Sequence, residues 1–276
     1  MIRNRSDDAP PGGPPNAPAH GFGGRHDAYA QGKQIIVSVR DIERHYRAGD
    51  EVVKALDGVS LDVYQGEYLS IMGPSGSGKS TLFNMIGGLD TPTAGTVHVQ
   101  EIELSRLSRA QQARLRNRSL GYIFQTYNLI PVMTAQQNVA LPMLLGGLSV
   151  EDAHAKAADL LDAVGLGDRL HHRPDQLSGG QQQRTAIARS FANDPVIILA
   201  DEPTGNLDTK TGEQIIDYLS RLSRDRGVTI ISATHDHKML SVSDRVVQIR
   251  DGKVQKIELR DELDIQVGSI SVGGNP

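Results

Sequence analysis

The sequence predicts an α/β fold organised around a parallel β-sheet, with an additional antiparallel layer, and three observations support that class. Residues 68–72 alternate like a strand and lead through a glycine-rich loop into a helical pattern from residue 81. Residues 196–200 form a continuous apolar run, which is typical of a strand buried on both faces of a parallel sheet. Short alternating segments between residues 35 and 63 indicate the antiparallel layer.

The glycine-rich loop is the most informative stretch of the chain. It fits the phosphate-binding (Walker A) pattern G-x-x-x-x-G-K-[ST] and consists of Gly73, Pro74, Ser75, Gly76, Ser77, Gly78, Lys79, Ser80 and Thr81. Its glycines allow the backbone N–H groups to face inward around phosphate oxygens, and the following helix adds unpaired donors. Lys79 can bridge the outer phosphates and Ser80 can ligate Mg²⁺. The preceding strand and following helix favour this interpretation over a chance match in a turn.

Composition excludes several classes of protein. The 276 residues include 29 basic and 33 acidic side chains, so the net charge of −4 provides no global field for nucleic acid. The absence of cysteine excludes disulfides and thiolate metal sites. No apolar run approaches the ~20 residues of a spanning helix, so we expect any membrane association to go through a partner.

The chain divides into a folded domain, predicted for residues 34–258, and two tails. Residues 1–33 contain five prolines and six glycines with almost no large apolar side chains, which predicts a disordered tail. Residues 259–276 are polar without a clear period and form the second predicted tail.

The antiparallel layer is predicted from strands at 35–39, 52–56 and 59–63, with a first turn at Ala48-Gly49-Asp50. Tyr46 lies beside that turn. Its ring could stack on a nucleobase or pack on its own hairpin, and the residues alone leave both alternatives open.

Two middle segments also have two interpretations each. The predicted helix at 105–118 carries five arginines, which favour a solvated face over a phospholipid or nucleic-acid patch. A strand at 122–124 ends at Gln125. The apolar segment 127–148 is too broken by Pro131 and Pro142 for one long helix, and it is either an interior packing element or a partner groove.

Polar residues in the second half stand where ligands are expected. Ser178 is a good N-cap, and Gly179, Gly180 and Gln181 leave its helix start open to an anion. Asp201 and Glu202 end the buried strand, where open α/β sheets place ligands. Further candidates are Asp208, which starts another helix, and His235, which follows a strand at 228–233. Asp251-Gly252 joins two last strands in a hairpin.

In this order and spacing, the motifs resemble those of the nucleotide-binding subunit of ABC (ATP-binding cassette) transporters, over about residues 34–258. Residues 73–80 resemble the Walker A motif and residues 177–181 the ABC signature, the most family-specific motif present. Four more features resemble family elements. Gln125 resembles the Q-loop glutamine and residues 197–202 resemble the Walker B motif. Residues 205–208 resemble the D-loop, and His235 resembles the switch histidine. Tyr46 then takes the adenine-stacking position. Segments 116–125, 128–131, 138–142 and 201–208 resemble the LolD and MacB types, whereas the two tails depart from them.

The resemblance implies a P-loop NTPase fold with a RecA-like parallel-sheet core, an antiparallel β layer and a helical lobe at about 126–173. It also implies a head-to-tail homodimer, with ATP held between the Walker A loop of one copy and Ser178-Gly179-Gly180 of the other. Glu202 would be the catalytic base and His235 would contact the γ-phosphate. Asp201, Ser80 and Gln125 would hold Mg²⁺.

The resemblance further implies a separate integral membrane permease subunit, at the cytoplasmic face of a bacterial inner membrane. Expected cargo is a lipoprotein, a peptide or a small hydrophobic molecule. DNA-repair ATPases share these motifs but have a long coiled coil between Walker A and the signature, and translation-associated relatives carry two cassettes in one chain. An FtsE-type ATPase, which signals to a cell-envelope hydrolase without transport, stays open as the alternative.

Overall fold

The computed structural model describes residues 24–49, 51–235 and 237–263. Asp50 of the predicted turn and most of both predicted tails, at 1–23 and 264–276, lie outside these ranges. The strands are β1 Ile35–Ala48, β2 Glu51–Tyr64, β3 Tyr68–Met72, β4 Ala94–Val99, β5 Ile102–Glu103, β6 Leu120–Ile123, β7 Ile197–Asp201, β8 Thr229–Thr234, β9 Arg245–Arg250 and β10 Lys253–Leu259. The α-helices are α1 Gly24–Ala30, α2 Lys79–Ile86, α3 Arg109–Ser119, α4 Ala135–Leu145, α5 Val150–Ala163, α6 Gly179–Ser190 and α7 Thr209–Arg226.

The predicted parallel sheet is confirmed. Its strand order is β10-β9-β3-β8-β7-β6, and β9, β3, β8, β7 and β6 are parallel neighbours. Only β10 pairs antiparallel within it, through the predicted Asp251-Gly252 hairpin. Because the chain leaves β3, β7 and β8 at the same edge, the residues that follow these strands are brought together.

The antiparallel layer is confirmed as a sheet of order β2-β1-β4-β5, but its strands are longer than predicted. The prediction of three short strands between residues 35 and 63 is wrong, because this region forms two strands, β1 and β2. Each is 14 residues long, and they pair with each other. The predicted first turn does lie between β1 and β2, where Ala48 pairs with Glu51. The predicted strands at 52–56 and 59–63 are both parts of β2, and local irregularities take the place of a break in the chain. Asp41 and Gly58 take positive φ angles of 46° and 80°, and the register of β1 shifts between Val39 and Ile42.

Two apolar clusters hold the layers together. One lies between the antiparallel sheet, α2 and one face of the parallel sheet, with Leu56, Leu69, Leu82 and Ile249 at its centre. The other joins α4, α5 and α6 to strands β7 and β8. The helices α4 and α5 form the predicted helical lobe, and α4 ends at Leu145 with Pro142 inside it, so no long helix spans 127–148.

The predicted disordered tail at 1–33 is wrong for its described part. Residues 24–30 form helix α1, and Tyr29 from this helix donates a hydrogen bond to Glu67 at 3.1 Å. The contact depends on a residue distant in sequence, so local composition could not reveal it. Across the residues that the structure describes, no helix is both long and apolar enough to cross a bilayer.

Candidate active site

The carboxyl edge of the parallel sheet gathers the predicted phosphate, metal and base residues. Met72, the last residue of β3, lies opposite Thr234 of β8, and Asp201 of β7 lies opposite Ala233. The phosphate loop, the Asp201-Glu202 pair and His235 therefore follow three adjacent strands. The sequence predicted that these residues follow strands, and the strand order brings them together.

The phosphate loop is closed by the side chain of Lys79 and packs tightly against neighbouring backbone. Lys79 is buried, and its Nζ donates to the carbonyl oxygens of Gly73 at 2.8 Å and Pro74 at 3.0 Å, so the ammonium lies across the loop. A Cβ at Gly73 would lie 2.1 Å from the Ile249 carbonyl oxygen. At Gly78, where φ is 104°, it would lie 2.5 Å from that of Ala55. Both positions therefore require glycine.

The loop also contains an unused buried donor. Ser77 is 3% exposed, and its Oγ has no hydrogen-bond partner among the described residues. Buried hydroxyls are usually bonded, so an orphan here needs an explanation. A phosphate oxygen accepting from Ser77 Oγ would satisfy it, and the site therefore fits a phosphorylated ligand.

Asp201 and Ser80, the predicted metal ligands, are near enough for the Ser80 hydroxyl to affect the pKa of the Asp201 carboxyl. Burial raises the pKa of the Asp201 carboxyl, and neighbouring Glu202 adds to that rise, while Ser80 and Lys79 oppose it. A hydroxyl and a carboxylate beside a phosphate site are the hard oxygen ligands that Mg²⁺ takes. The donor set therefore fits Mg²⁺, which would attach to one carboxylate and to substrate phosphates.

Glu202 is held in a strained position beside His235. Its φ angle is 45°, which is uncommon for a residue other than glycine, and strain of this kind concentrates at functional sites. The backbone N–H of Glu202 donates to the Ala233 carbonyl at 2.9 Å. Its Oε1 lies 3.1 Å from Nδ1 of His235. His235, the predicted switch histidine, and Glu202, the predicted base, are thus in direct contact.

Gln125 converges on the same loop as Glu202. A Cβ at Gly205 would lie 2.9 Å from Gln125 Nε2 and 3.3 Å from Glu202 Oε2. Asn206 Nδ2 also donates to the Gln125 carbonyl at 2.8 Å. The Gln125 amide and the Glu202 carboxylate therefore both lie next to Gly205. Only glycine is small enough for that position.

The turn at 178–181 begins helix α6 as predicted. Ser178 caps it in a reciprocal capping box with Gln181. A Cβ at Gly180 would lie 2.6 Å from Thr211 Cγ2, and one at Gly179 would lie 3.0 Å from the Tyr127 hydroxyl. Asp208 caps α7 through Thr211, whose hydrogen bonds lower the pKa of the Asp208 carboxyl. The glycines of this turn thus face Tyr127 and the start of α7, and not the phosphate loop of their own chain.

Comparison with known proteins identifies the family. The family model described as ABC transporter matches residues 56–205. The lipoprotein-releasing system ATP-binding protein LolD of Shewanella frigidimarina (strain NCIMB 400) is 45% identical to this chain over 228 residues, which are 83% of this chain and 95% of LolD. The chain belongs to the ABC transporter family.

Two further relatives extend the match. The macrolide export ATP-binding/permease protein MacB of Hyphomonas neptunium is 47% identical over 79% of this chain, which spans only 34% of MacB. The ATP-binding cassette MJ0796 of Methanocaldococcus jannaschii, solved as a dimer in a post-hydrolysis state bound to ADP and Pi, is 42% identical with a TM-score of 0.77. That match covers 81% of this chain and 98% of the solved one. The predicted family and fold are confirmed, and ATP hydrolysis is the characteristic activity of this family.

Tyr46 of the ABC cassette has contacts compatible with both of its predicted roles. It remains 38% exposed, while its hydroxyl donates to Asp90 at 3.0 Å and the Arg44 guanidinium lies 4.6 Å from its ring centroid. Adenine stacking at Tyr46 stays a prediction.

Sequence reasoning missed Arg189, near the end of α6. Its guanidinium donates to the carbonyl oxygens of Asn128 at 2.6 Å and Tyr127 at 2.8 Å. Tyr127 and Asn128 both have positive φ angles, of 61° and 48°. Burial lowers the pKa of Arg189, and no carboxylate contacts it among the described residues. The arginine thus holds a strained turn directly after Gln125, a contact that no local pattern reveals.

Beside Arg189 the cassette has an apolar groove of about 590 Å³. Its walls come from α3, β6, α4 and α6, and its lining includes Tyr122, Phe124, Leu141, Pro142 and Leu145. Three arginines also line it, and none of the lining residues is acidic. The apolar segment 127–148 thus contributes one wall, through α4, whereas its Leu129 and Met133 do not line the groove.

Proposed function

We propose that this chain is the ATP-hydrolysing subunit of a LolD/MacB-type transporter, dimerising around ATP and powering a separate integral membrane permease. The observation that carries this is the sheet edge where the buried Lys79, the orphan hydroxyl of Ser77 and the Asp201-Glu202 pair follow adjacent strands. The expected cargo is a lipoprotein, a peptide or a small hydrophobic molecule, as for the LolD and MacB types.

ATP enters this site with its phosphates in the loop 73–81. Lys79 and the loop N–H groups hold the outer phosphates, and Tyr46 stacks on the adenine. Ser80, Asp201 and Gln125 would hold Mg²⁺, which would neutralise phosphate charge. The hydrogen bonds of Lys79 to the Gly73 and Pro74 carbonyls keep its ammonium beside the loop and use two of its three donors.

Glu202 acts as the base for the attacking water. The water oxygen forms a bond to the γ-phosphorus, its proton passes to the Glu202 carboxylate, and the bond to the β–γ bridging oxygen breaks. The products are ADP and phosphate. His235 orients the carboxylate through its 3.1 Å contact and touches the γ-phosphate. A positioned base of this kind contributes about 10²- to 10⁴-fold.

The second half of each site comes from another copy of the chain. The start of α6, at Ser178, Gly179, Gly180 and Gln181, supplies helix N–H donors to the γ-phosphate of the partner's nucleotide, and Asp208 lies beside it. The dimeric state of the MJ0796 cassette supports this arrangement. Hydrolysis removes the bridging phosphate, so the two copies separate.

The test is a Glu202→Gln variant, with Glu151→Gln on the exposed start of α5 as its control. A glutamine cannot accept the proton, so we expect turnover to fall by about 10²- to 10⁴-fold. ATP still binds, and a stable ATP-dependent dimer should appear in light scattering behind a sizing column. Parental turnover in Glu202→Gln would reject Glu202 as the base, and an ATP-bound monomer would reject the sandwich.

The groove beside Arg189 is the proposed docking site for the permease, which would hold the cassette at the cytoplasmic face of a bacterial inner membrane. The groove is apolar and its only charged lining residues are Arg114, Arg116 and Arg189. An apolar permease segment that carries a carboxylate would complement both properties. The adjoining turn leads directly to Gln125, so occupancy of the groove is linked to the ATP site.

Leu145→Glu tests the groove. Leu145 is 76% exposed, so its replacement should leave the melting temperature unchanged while a carboxylate on the apolar wall prevents co-purification with the permease. Val150→Glu is the matched control, because Val150 is 63% exposed and lies outside the groove. Equal capture of the permease by Leu145→Glu and Val150→Glu would place the interface elsewhere. Reconstitution of this chain with the permease in membranes then distinguishes the two alternatives. Movement of cargo indicates a transporter, and activation of a cell-envelope hydrolase without such movement indicates FtsE-type signalling.

A further inference from the structure

A fully buried glutamine connects α6 to the loop that carries Glu202. Gln183 is 0% exposed, and its Nε2 donates to the Pro203 carbonyl at 2.5 Å. Its Oε1 has no hydrogen-bond partner among the described residues. A buried polar atom left unpaired typically costs about 1–3 kcal/mol. A contribution to stability is therefore a poor explanation for an amide at this position.

The acceptor of this hydrogen bond is the carbonyl of Pro203, the residue next to the proposed base. Pro203 follows Glu202, whose φ angle of 45° sets the direction of the loop. A proline has no N–H, so its carbonyl is the one backbone group through which a neighbour can hold it by hydrogen bonding. The loop then turns back, with the N–H of Gly205 donating to the Glu202 carbonyl at 3.0 Å.

The donor belongs to a helix that starts at the turn proposed to contact a partner's nucleotide. Gln183 lies in α6, which begins at Gly179 with the capping box of Ser178. A helix transmits a displacement of its first turn along its axis, because each residue is bonded to the next turn. A shift of the Ser178 end therefore moves Gln183, and with it the Pro203 carbonyl.

We propose that Gln183 is a positioning residue that couples engagement of the α6 start to the placement of the Glu202 carboxylate. This inference rests on the proposed function, since it takes Glu202 as the base and the start of α6 as the contact to a partner's nucleotide. Coupling of this kind makes hydrolysis depend on closure of the dimer. A misplacement of about 1 Å can reduce turnover by about 10²-fold.

Two substitutions separate positioning from stability. Gln183→Leu keeps the approximate volume, removes the unpaired Oε1 and breaks the bond to Pro203. The variant removes the unpaired Oε1 but leaves the carbonyl of the buried Pro203 without its donor, so the two effects on stability oppose each other. We expect a melting temperature close to the parent's, unchanged ATP affinity, and turnover lower by about 10- to 100-fold. Gln136→Leu is the matched control, because Gln136 Nε2 also donates to a backbone carbonyl, that of His154, but within the helical lobe.

Gln183→Glu supplies a readout that a structural role would not move. A protonated carboxyl can donate to the Pro203 carbonyl, whereas a carboxylate cannot. Burial should raise the pKa of a glutamate at this position. The turnover of Gln183→Glu relative to the parent should therefore recover as the pH falls.

The results that overturn the proposal are specific. Parental turnover in Gln183→Leu would remove the role, with or without a change in melting temperature. If Gln183→Leu lowers both turnover and the melting temperature, the pH profile decides: recovery of Gln183→Glu in acid supports positioning, and a profile parallel to the parent's overturns it. Glu202→Gln, assayed alongside, keeps the two hypotheses distinct. Parental turnover in that variant rejects the base, whereas its loss together with full activity in Gln183→Leu rejects Gln183 alone.

Discussion

Replacing Tyr29 should destabilise the protein without weakening ATP binding. Tyr29 covers an ion pair in which the side chains of Arg245 and Glu67 are 6% and 1% exposed. Arg245 donates to both oxygens of Glu67, at 2.9 and 2.7 Å, the Tyr64 N–H donates at 2.7 Å, and the Tyr29 hydroxyl donates at 3.1 Å. The Tyr29 ring also meets that of Tyr64 edge to face, with centroids 5.9 Å apart. A buried pair of this kind depends on having its remaining oxygen sites satisfied.

The magnitude follows from these two contacts. A hydrogen bond to a charged acceptor contributes about 1.5–3 kcal/mol, and we take the lower end because Tyr29 is only half-buried. The aromatic pair adds about 0.5–1.5 kcal/mol. Tyr29→Phe should therefore lower the free energy of unfolding by about 1.5 kcal/mol, and Tyr29→Ala by about 2–3 kcal/mol. At roughly 2–4 °C per kcal/mol for a chain of this size, Tyr29→Ala should melt about 4–12 °C lower.

The assay is thermal unfolding of full-length variants, with ATP affinity measured in parallel. Tyr218→Phe is the control, because the Tyr218 hydroxyl donates to a neutral carbonyl, that of Ala163, and its loss should change the melting temperature less. Affinity should persist in all variants, since Glu67 precedes β3 and the phosphate loop follows it. Truncating residues 1–33 should also lower the melting temperature, contrary to a disordered tail, whereas truncating 1–23 should not. A parental melting curve for Tyr29→Ala would refute the reasoning.

Two further predictions concern the ATP site. Tyr46→Ala should weaken ATP binding by about 1–3 kcal/mol in calorimetry, with Tyr46→Phe mild because it keeps the ring; parental affinity in the alanine variant would make Tyr46 a packing residue. Because the pKa of Asp201 is raised, the folded protein holds that proton more tightly than the unfolded chain does, so ionised Asp201 lowers stability as the pH rises through its folded pKa. Asp201→Asn should therefore melt at the same or a higher temperature than the parent at neutral pH while losing Mg²⁺-dependent ATP binding. In the parent that binding should weaken as the pH falls toward the raised pKa, and a pH-independent Mg²⁺ effect would contradict the assignment.

The parallel sheet could be predicted because its strands are recognisable from local sequence patterns alone. The apolar run 196–200 differs from β7 by one residue at each end, and the hairpin at Asp251-Gly252 has the predicted bounds to within one residue. The full length of strands β1 and β2 could not be predicted. A glycine such as Gly58 is typical of a turn, and only the pairing of β2 with β1 makes it part of a strand. Helix α1 could not be predicted either, since its Tyr29 is held by Glu67 and Arg245, which are distant in sequence.

The candidate site divides in the same way. Residues whose role follows from a motif, such as Lys79, Asp201 and Glu202, lie where the sequence predicts. Gln183 and Arg189 could not be found, because each acts on a carbonyl group more than one element away, at Pro203 and at Tyr127 with Asn128. A hydrogen bond to backbone requires no particular side chain in its partner, so it leaves no pattern in the partner's sequence.

The turn after β6 gives the groove a physical route to the ATP site. Phe124 and Asn128 line the groove, while between them the Gln125 carbonyl accepts from Asn206 and the Tyr127 hydroxyl lies against Gly179. Two consecutive residues with positive φ store strain of about 1–3 kcal/mol each, and Arg189 is the cation that holds their carbonyls. A carboxylate entering the groove would compete for that guanidinium, since a charged acceptor binds it more strongly than a carbonyl does. Release of the turn would then move Gln125 and the start of α6 together, so one event in the groove would reach both halves of the proposed ATP site.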